Sequence, residues 1–182
     1  MPGTHYSFIE STLRQHYTGG IALEVGAGAA LYRSLFDQQV ATDLPESSYI
    51  ERDSIDVFCD ARALPFADHS FDFAFSISTL HLIPQPDNAL KEIVRVLKKG
   101  SNFFMFDIPL EQKKRNTVKK RARGDDSFMA LWTREDLYKT DLESGFSHVY
   151  LCNLPLYAKV LSLFRPNFEP PSVGWLAYRM AV

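Results

Sequence analysis

Short apolar runs alternate along this chain with stretches in which apolar residues recur every three to four positions. The strand-like runs cover residues 21–25, 40–43, 55–59, 71–77 and 102–108. The helical spacing occurs over residues 5–17 and 87–98, and Leu31, Leu35 and Phe36 predict a further helix between the first two strands. Strands that alternate with helices are typical of a parallel sheet covered by helices on both faces.

The last third of the chain continues this pattern with a change at its end. A helix is predicted over residues 133–144, and residues 146–153 and 174–182 alternate between apolar and polar positions. That alternation favours an antiparallel pair at one sheet edge. The sequence therefore predicts a single domain over residues 1–182 with an α/β fold. We expect a Rossmann-like, doubly wound, seven-stranded sheet with helices on both faces and one antiparallel edge strand.

Composition excludes several classes of protein. With 182 residues, 46% of them hydrophobic, the chain can bury a substantial core. Cys59 and Cys152 fall in apolar runs and predict buried free thiols, and neither they nor the five histidines show metal-ligand spacing. No basic segment precedes an apolar one at the N-terminus, and no apolar run reaches about 18 residues. We therefore expect a cytoplasmic protein without a metal site or a membrane span.

Charge is unevenly distributed, although the net charge is only −2. Residues 113–123 contain seven Lys and Arg residues after the fifth predicted strand. Such a segment could neutralise the phosphates of RNA, bind a small anionic substrate, or remain a solvated loop. Because it contains no aromatic residue on which bases could stack, nucleic acid is the less favoured partner.

A glycine-rich turn follows the first predicted strand. Residues 23–30 read L-E-V-G-A-G-A-A, with an acidic residue, Glu24, two positions before Gly26. Glycine at Gly26 and Gly28 permits backbone angles that other residues avoid and lets a ligand approach the main chain. A dinucleotide-binding fingerprint requires a small residue where Leu31 stands. A nicotinamide-dependent oxidoreductase is therefore disfavoured.

The turn resembles the first motif of the class I S-adenosylmethionine-dependent methyltransferases, acidic-x-G-x-G-x-G/A, with Ala30 in the last place. Four further segments resemble that family in register: Thr42-Asp43-Leu44, the run D-A-x-x-L-P-F-x-x-x-x-F-D from Asp60 to Asp72, Leu97 to Gly100, and Leu142 to Phe146. The resemblance covers residues 21–152 and is closest to small-molecule methyltransferase domains of the type 11 kind. It implies S-adenosylmethionine as cofactor and S-adenosylhomocysteine as product.

The resemblance also implies which residues contact the cofactor. Asp43 would accept hydrogen bonds from the ribose hydroxyls, and Asp60 would accept one from the adenine amino group. The full set is Glu24, Gly26, Ala27, Gly28, Asp43, Leu44, Asp60, Ala61, Ser76 and Ile77. Two roles stay open for Glu24, which would either cap the amides of the turn or reach the amino acid end of the cofactor.

Methyl transfer from a sulfonium is an in-line displacement, so orientation and exclusion of water matter more than proton transfer. His81, just past the fourth strand, is the candidate general base, with packing or substrate contact as the alternative. We expect a small-molecule acceptor, an anionic one being among the options. Two alternatives are a cofactor-binding scaffold subunit without activity and an RNA methyltransferase that uses residues 113–123. The apolar stretch 155–164 could also form the interface of a homodimer.

Overall fold

The computed structural model of this chain describes residues 4–47, 50–107, 145–146, 148–151 and 173–178. The following sequence predictions lie outside the described residues: the helix over 133–144, the basic segment 113–123, the apolar stretch 155–164 and the buried thiol of Cys152. Within the described residues, no helix is long and apolar enough to cross a bilayer, and no cluster of His, Cys, Asp and Glu could hold a metal ion.

The described residues contain seven strands and two α-helices, so helices alternate with strands less regularly than the sequence predicts. In chain order they are α1 (Thr4–His16), β1 (Ile21–Val25), β2 (Gln38–Asp43), β3 (Val57–Phe58), β4 (Phe71–Ile77), α2 (Pro86–Val96), β5 (Leu97–Asp107), β6 (His148–Leu151) and β7 (Val173–Tyr178). The first five strands form a sheet in the order β3-β2-β1-β4-β5.

The first five strands are parallel to one another, which confirms the Rossmann-like α/β prediction. Beyond them, β7 pairs antiparallel with β5 and with β6. The antiparallel strand therefore lies between β5 and β6. The predicted antiparallel pairing of the last two strands is therefore confirmed. The prediction of an antiparallel strand at the edge itself is wrong, because a hydrophobic pattern does not give the order of strands in a sheet.

Both faces of the sheet are buried, each under one of the two helices. Leu23 and Val25 of β1 face α2 and pack in a cluster with Leu90 and Ile93. Ala22, the residue before Leu23, faces α1 in a second cluster, which includes Ile9 and Leu13 of α1 and four Phe side chains of β4 and β5: Phe73, Phe75, Phe104 and Phe106. Successive side chains of a strand point to opposite faces, which explains why these central strands are apolar throughout.

The prediction of a helix between β1 and β2 is wrong. Residues 26–37 form turns and one short 3₁₀ helix, Arg33–Leu35. Positive φ angles at Gly26, Gly28 and Ala30 are incompatible with α-helix. Too few residues remain between this turn and β2 for an α-helix to form cooperatively. Leu31, expected on a buried helix face, is consequently 62% exposed.

Candidate active site

The carboxyl ends of β1, β2 and β4 meet at a cleft with a volume of about 550 Å³. Parallel sheets bind ligands at this edge, and the volume lies in the range of small-molecule sites. The cleft is lined by the glycine-rich turn, by residues just after β2 and β4, and by side chains of α1 and β5: Ile9, Glu24, Gly26, Ala27, Gly28, Ala29, Leu31, Tyr32, Asp43, Ser47, Ile77, Ser78, Thr79, Leu82 and Phe106.

The glycine-rich turn is held by the two neighbouring strands. The backbone N–H groups of Gly26 and Ala27 both donate to the carbonyl of Thr42, at 2.9 Å. Thr79, just after β4, donates its hydroxyl to the carbonyl of Gly26 at 3.0 Å. Ala30 adopts a φ of +47°, a left-handed conformation that favours glycine. The tight turn thus has no need of a following helix to keep its shape.

Asp43 stands at the end of β2 and faces this turn. One carboxylate oxygen accepts the backbone N–H of Gly28 at 2.9 Å, and the other accepts the N–H of Leu44 at 2.8 Å. An ionised carboxylate offers about four acceptor positions, so two remain for a ligand. Asp43 therefore both fixes the turn and presents free acceptor capacity to the cleft.

Glu24 is the most deeply buried carboxylate in the cleft, at 2% exposure. It accepts a hydrogen bond from the side-chain amide of Gln39 on β2. Burial, which penalises the charged form, raises the pKa of Glu24 to about 8. The hydrogen bond from Gln39 and the charge of Arg33 oppose this rise, whereas the charge of Asp43 adds to it. Glu24 therefore holds a proton at neutral pH.

A smaller cavity of about 120 Å³ adjoins the cleft and shares Gly26, Asp43 and Thr79 with it. The predicted residues Leu44, Asp60 and Ala61 line this cavity. Asp60 pairs with Arg62 through contacts of 2.6 to 3.0 Å, and these hydrogen bonds lower the pKa of Asp60. The carboxylate is therefore ionised at neutral pH, in contrast to Glu24.

Two predicted residues line neither cavity. Ser76 is buried, and its hydroxyl donates to the carbonyl of Val25 at 3.0 Å, so it ties β4 to β1. His81 lies in the 3₁₀ helix Leu80–Leu82 beside the rim residue Leu82. Ile77, the last residue of β4, does line the cleft.

Sequence reasoning missed several lining residues, Ile9, Ser78 and Thr79 among them. The position of Thr79 in the sequence could have predicted its place in the cleft, since it lies just after a central strand at the ligand-binding edge. Ser78 shows its special position only in its φ of +53°, which a non-glycine residue rarely adopts. Ile9 reaches the cleft from α1, and only the packing of α1 on the sheet reveals that.

The loop that carries Asp60 and Ala61 is anchored to α2 further along. The guanidinium of Arg95 donates to the carbonyls of Leu64 and Phe66, at 2.9 and 2.7 Å. It also pairs with Glu92, which in turn accepts the backbone N–H of Leu64. These contacts fix the segment between β3 and β4 from below the cavity.

Comparison with known proteins agrees with this geometry. The profile of a family described as a methyltransferase domain matches residues 23–105. A sterol 4-C-methyltransferase of Caenorhabditis elegans is 44% identical over 52 residues, which are 29% of this chain and 16% of that protein. A phosphatidylethanolamine N-methyltransferase of Cereibacter sphaeroides is 29% identical over 103 residues, which are 49% of this chain and 51% of that protein.

Among solved structures, the phosphoethanolamine N-methyltransferase 2 of Haemonchus contortus, in complex with S-adenosyl-L-methionine, superposes with a TM-score of 0.69. It is 18% identical, and the match covers 99% of this chain and 54% of that one. At this identity the likeness concerns the fold alone. The chain spans about half or less of the length of these curated relatives.

Proposed function

This chain belongs to the class I S-adenosylmethionine-dependent methyltransferases through its methyltransferase domain, and we propose that it transfers a methyl group from S-adenosylmethionine to a small-molecule acceptor. The observation that carries the proposal is the convergence of Glu24, the glycine-rich turn and Asp43 on one cleft. We also propose that β7 and β6 complete a sheet of seven strands, as their pairing beyond β5 supports.

The donors and acceptors of the cleft suit the parts of this cofactor. Asp43 has acceptor positions left for the two ribose hydroxyls, and Asp60 has an ionised carboxylate beside the smaller cavity for the adenine amino group. Leu44 and Ala61 provide apolar contact there for the adenine ring. Glu24 is the most deeply buried carboxylate of the cleft, and a carboxylate there suits the cationic amino acid end. We propose these residues as the cofactor site.

When bound, S-adenosylmethionine would supply an electrophilic methyl group: an acceptor lone pair forms a new bond to the methyl carbon in line with the C–S bond, which breaks, and its electron pair stays on the sulfur of the leaving S-adenosylhomocysteine. The chain's own contribution is to orient the reactants and exclude water. Ile9, Tyr32, Ile77 and Phe106 supply an apolar wall for that purpose. For a hydroxyl acceptor that enters over Leu82, we propose His81 as the group that removes the proton.

We further propose an acceptor with an apolar body. The side chains of the cleft that the cofactor would leave available are mostly hydrocarbon, and no Lys, Arg or His of the described residues lines it. The relatives named above act on a sterol and on a phospholipid, according to their names. An anionic acceptor would need the basic segment 113–123, which lies outside the described residues.

Calorimetry with S-adenosylhomocysteine tests the cofactor proposal. We expect binding clearly tighter than millimolar, which corresponds to more than about 4 kcal/mol. Affinity weaker than that would contradict it. A screen with cofactor labelled in the transferred methyl group, over sterol, phospholipid, fatty-acid and polar acceptors, then tests the reaction. Cofactor binding without transfer to any acceptor would favour the scaffold alternative.

A further inference from the structure

Exposed large apolar side chains are concentrated at the cleft. Of the four in the described part of the chain, Leu31 and Leu82 line the cleft, at 62% and 42% exposure, and Leu44 lines the adjoining cavity. The fourth, Phe58, lines neither and contacts the guanidinium of Arg52 at 4.8 Å. Single exposed apolar residues are normal on a protein surface, whereas a group of them at one place indicates a binding surface.

Buried neighbours hold Leu31 in its exposed position. Ala30 and Tyr32, the residues on either side of it, are both buried. The ring of Tyr32 meets that of Phe75 on β4 edge to face, with 6.4 Å between the ring centroids. Leu31 therefore cannot turn inward while the residues beside it stay packed.

Leu82 is held in the same way in the segment after β4. Its backbone N–H donates to the carbonyl of Thr79 at 2.8 Å, and the N–H of Ile83 donates to the carbonyl of Leu80 at 3.1 Å. Leu80 and Ile83 are buried, whereas Leu82 between them points outward. Leu31 and Leu82, which we call the rim leucines, are thus exposed at positions that the packing around them fixes.

The two cavities leave little room beside the cofactor. A cleft of about 550 Å³ with an adjoining cavity of about 120 Å³ has the size of a site for one drug-sized ligand. In the proposed function the cofactor extends from Glu24 past Asp43 to Asp60, and its adenine covers Leu44. Only the reacting end of an acceptor then fits inside the cleft. The rest of the acceptor must lie outside, where the rim leucines are exposed.

The side chains that line the cleft also limit the charge of the acceptor. Among the described residues, its only ionisable groups of acidic type are Glu24 and Asp43, and no Lys, Arg or His lines it. An anionic reacting end would therefore approach the carboxylate of Asp43 without a cation to compensate for the repulsion.

We propose that the rim leucines bind the hydrocarbon chain of the acceptor. The acceptor is then an amphiphile whose uncharged reacting end enters the cleft, while its chain runs outward over Leu31 and Leu82. This inference rests on the proposed function, because the cofactor must fill the inner part of the cleft.

Calorimetry with octyl, nonyl and decyl glucoside tests the proposal in the full chain saturated with S-adenosylhomocysteine. These probes share one uncharged head and differ only in chain length, and each is used below its critical micelle concentration. Burial of each added CH₂ against the rim leucines should tighten binding roughly twofold to fourfold. S-adenosylhomocysteine should stay bound. Its displacement by the glucosides would place the chain in the inner cleft and contradict the proposal.

Substitution of the rim leucines separates contact with the chain from general hydrophobic binding. The double variant Leu31→Asn, Leu82→Asn should reduce the effect of each CH₂ to below about 1.5-fold, whereas Leu31→Met, Leu82→Met should keep it. Phe58→Asn is the matched control, because it removes an exposed apolar side chain that lines neither cavity. It should keep the full effect of chain length. An effect that survives in the Asn double variant, or that falls equally in Phe58→Asn, would overturn the proposal.

Sedimentation velocity tests the alternative occupant of this surface, a second copy of the chain. We expect the wild type and the Asn double variant to sediment alike, and a dimer that the double variant loses would refute the proposal. Binding of S-adenosylhomocysteine without an effect of chain length would overturn this inference alone. If S-adenosylhomocysteine does not bind, the proposed function fails and this inference fails with it.

Discussion

Gly26 and Thr79 lie so close that the Cβ which Gly26 lacks would stand 2.0 Å from Cγ2 of Thr79. Their contact joins the first turn of the cleft to the residues after β4, and the hydroxyl of Thr79 bonds the carbonyl of the same glycine. Gly26 also has a φ of +72°. Conformation and space thus both require glycine at this position.

We predict that Gly26→Ala destabilises the protein by roughly 2–4 kcal/mol and abolishes binding of S-adenosylhomocysteine, because the turn must move away from Thr79. Urea unfolding and calorimetry measure the two effects. Gly145→Ala is the control: its φ is +109° and its nearest contact is Val94 at 3.3 Å, away from the cleft. That variant should lose stability and keep ligand affinity where it still folds. Normal affinity in Gly26→Ala would contradict the assignment of the turn.

Asp43→Ala should weaken binding of S-adenosylhomocysteine by about 1.5–3 kcal/mol, the usual loss when charged hydrogen bonds are removed. Calorimetry at pH 7 measures it. Asp53→Ala removes the same charge from an exposed position in the 3₁₀ helix Arg52–Ser54 and should leave affinity unchanged. Equal effects of the two substitutions would mean that net charge, not contact with Asp43, matters.

The pKa of Glu24 predicts how stability depends on pH. Its value of about 8 in the folded protein lies above the ordinary value of 4.5. The folded state therefore binds the extra proton, and stability falls as pH rises through this window. Between pH 5 and pH 8 we expect a loss on the order of 3–4 kcal/mol that Glu24→Gln does not show. Parallel urea titrations of both proteins that keep a constant difference would rule this out.

Arg95→Lys should destabilise the protein by roughly 1–3 kcal/mol, since Lys cannot reach the carbonyls of Leu64 and Phe66 together with the carboxylate of Glu92. Arg14→Lys is the matched control, because Arg14 also pairs with a carboxylate on its own helix but is 59% exposed. It should change stability by less than about 0.5 kcal/mol. Thermal unfolding of the two variants compares them directly.

The basic segment 113–123 is tested most simply with RNA. We expect no retention of single-stranded RNA at about 50 mM salt, since the segment has no aromatic residue for stacking. If RNA did bind, affinity should fall with a log–log slope near −0.7 for each phosphate contacted. Replacing Lys119, Lys120 and Arg121 with Ala should then reduce that slope by about two units. Such a result would revive the RNA methyltransferase alternative.

The hydrophobic pattern determined the bounds of four strands closely, but it was wrong about the start of β5, which it placed at residue 102 and which lies at Leu97. It predicted β1 and β4 with the bounds that the structure has, and it predicted β2 and β3 within two residues. Both β1 and β4 are buried on both faces, so nearly every position in them is apolar and the run ends where the strand ends. The pattern failed after Gly26, where Leu31, Leu35 and Phe36 have helical spacing but the turn uses up the length that a helix needs.

The candidate site likewise has features that the sequence predicted and features that only the tertiary structure shows. The glycine-rich turn, the acidic residue before it and the order of the strands along the chain are local features of the sequence. The sequence alone therefore indicated that Glu24, Gly28 and Asp43 would meet at one edge of a parallel sheet. Which groups change the chemistry of that edge is a matter of tertiary contact. Gln39 reaches Glu24 from a neighbouring strand, and burial raises the pKa of that carboxyl to about 8. Desolvation depends on everything packed around a group, and no stretch of sequence encodes it locally.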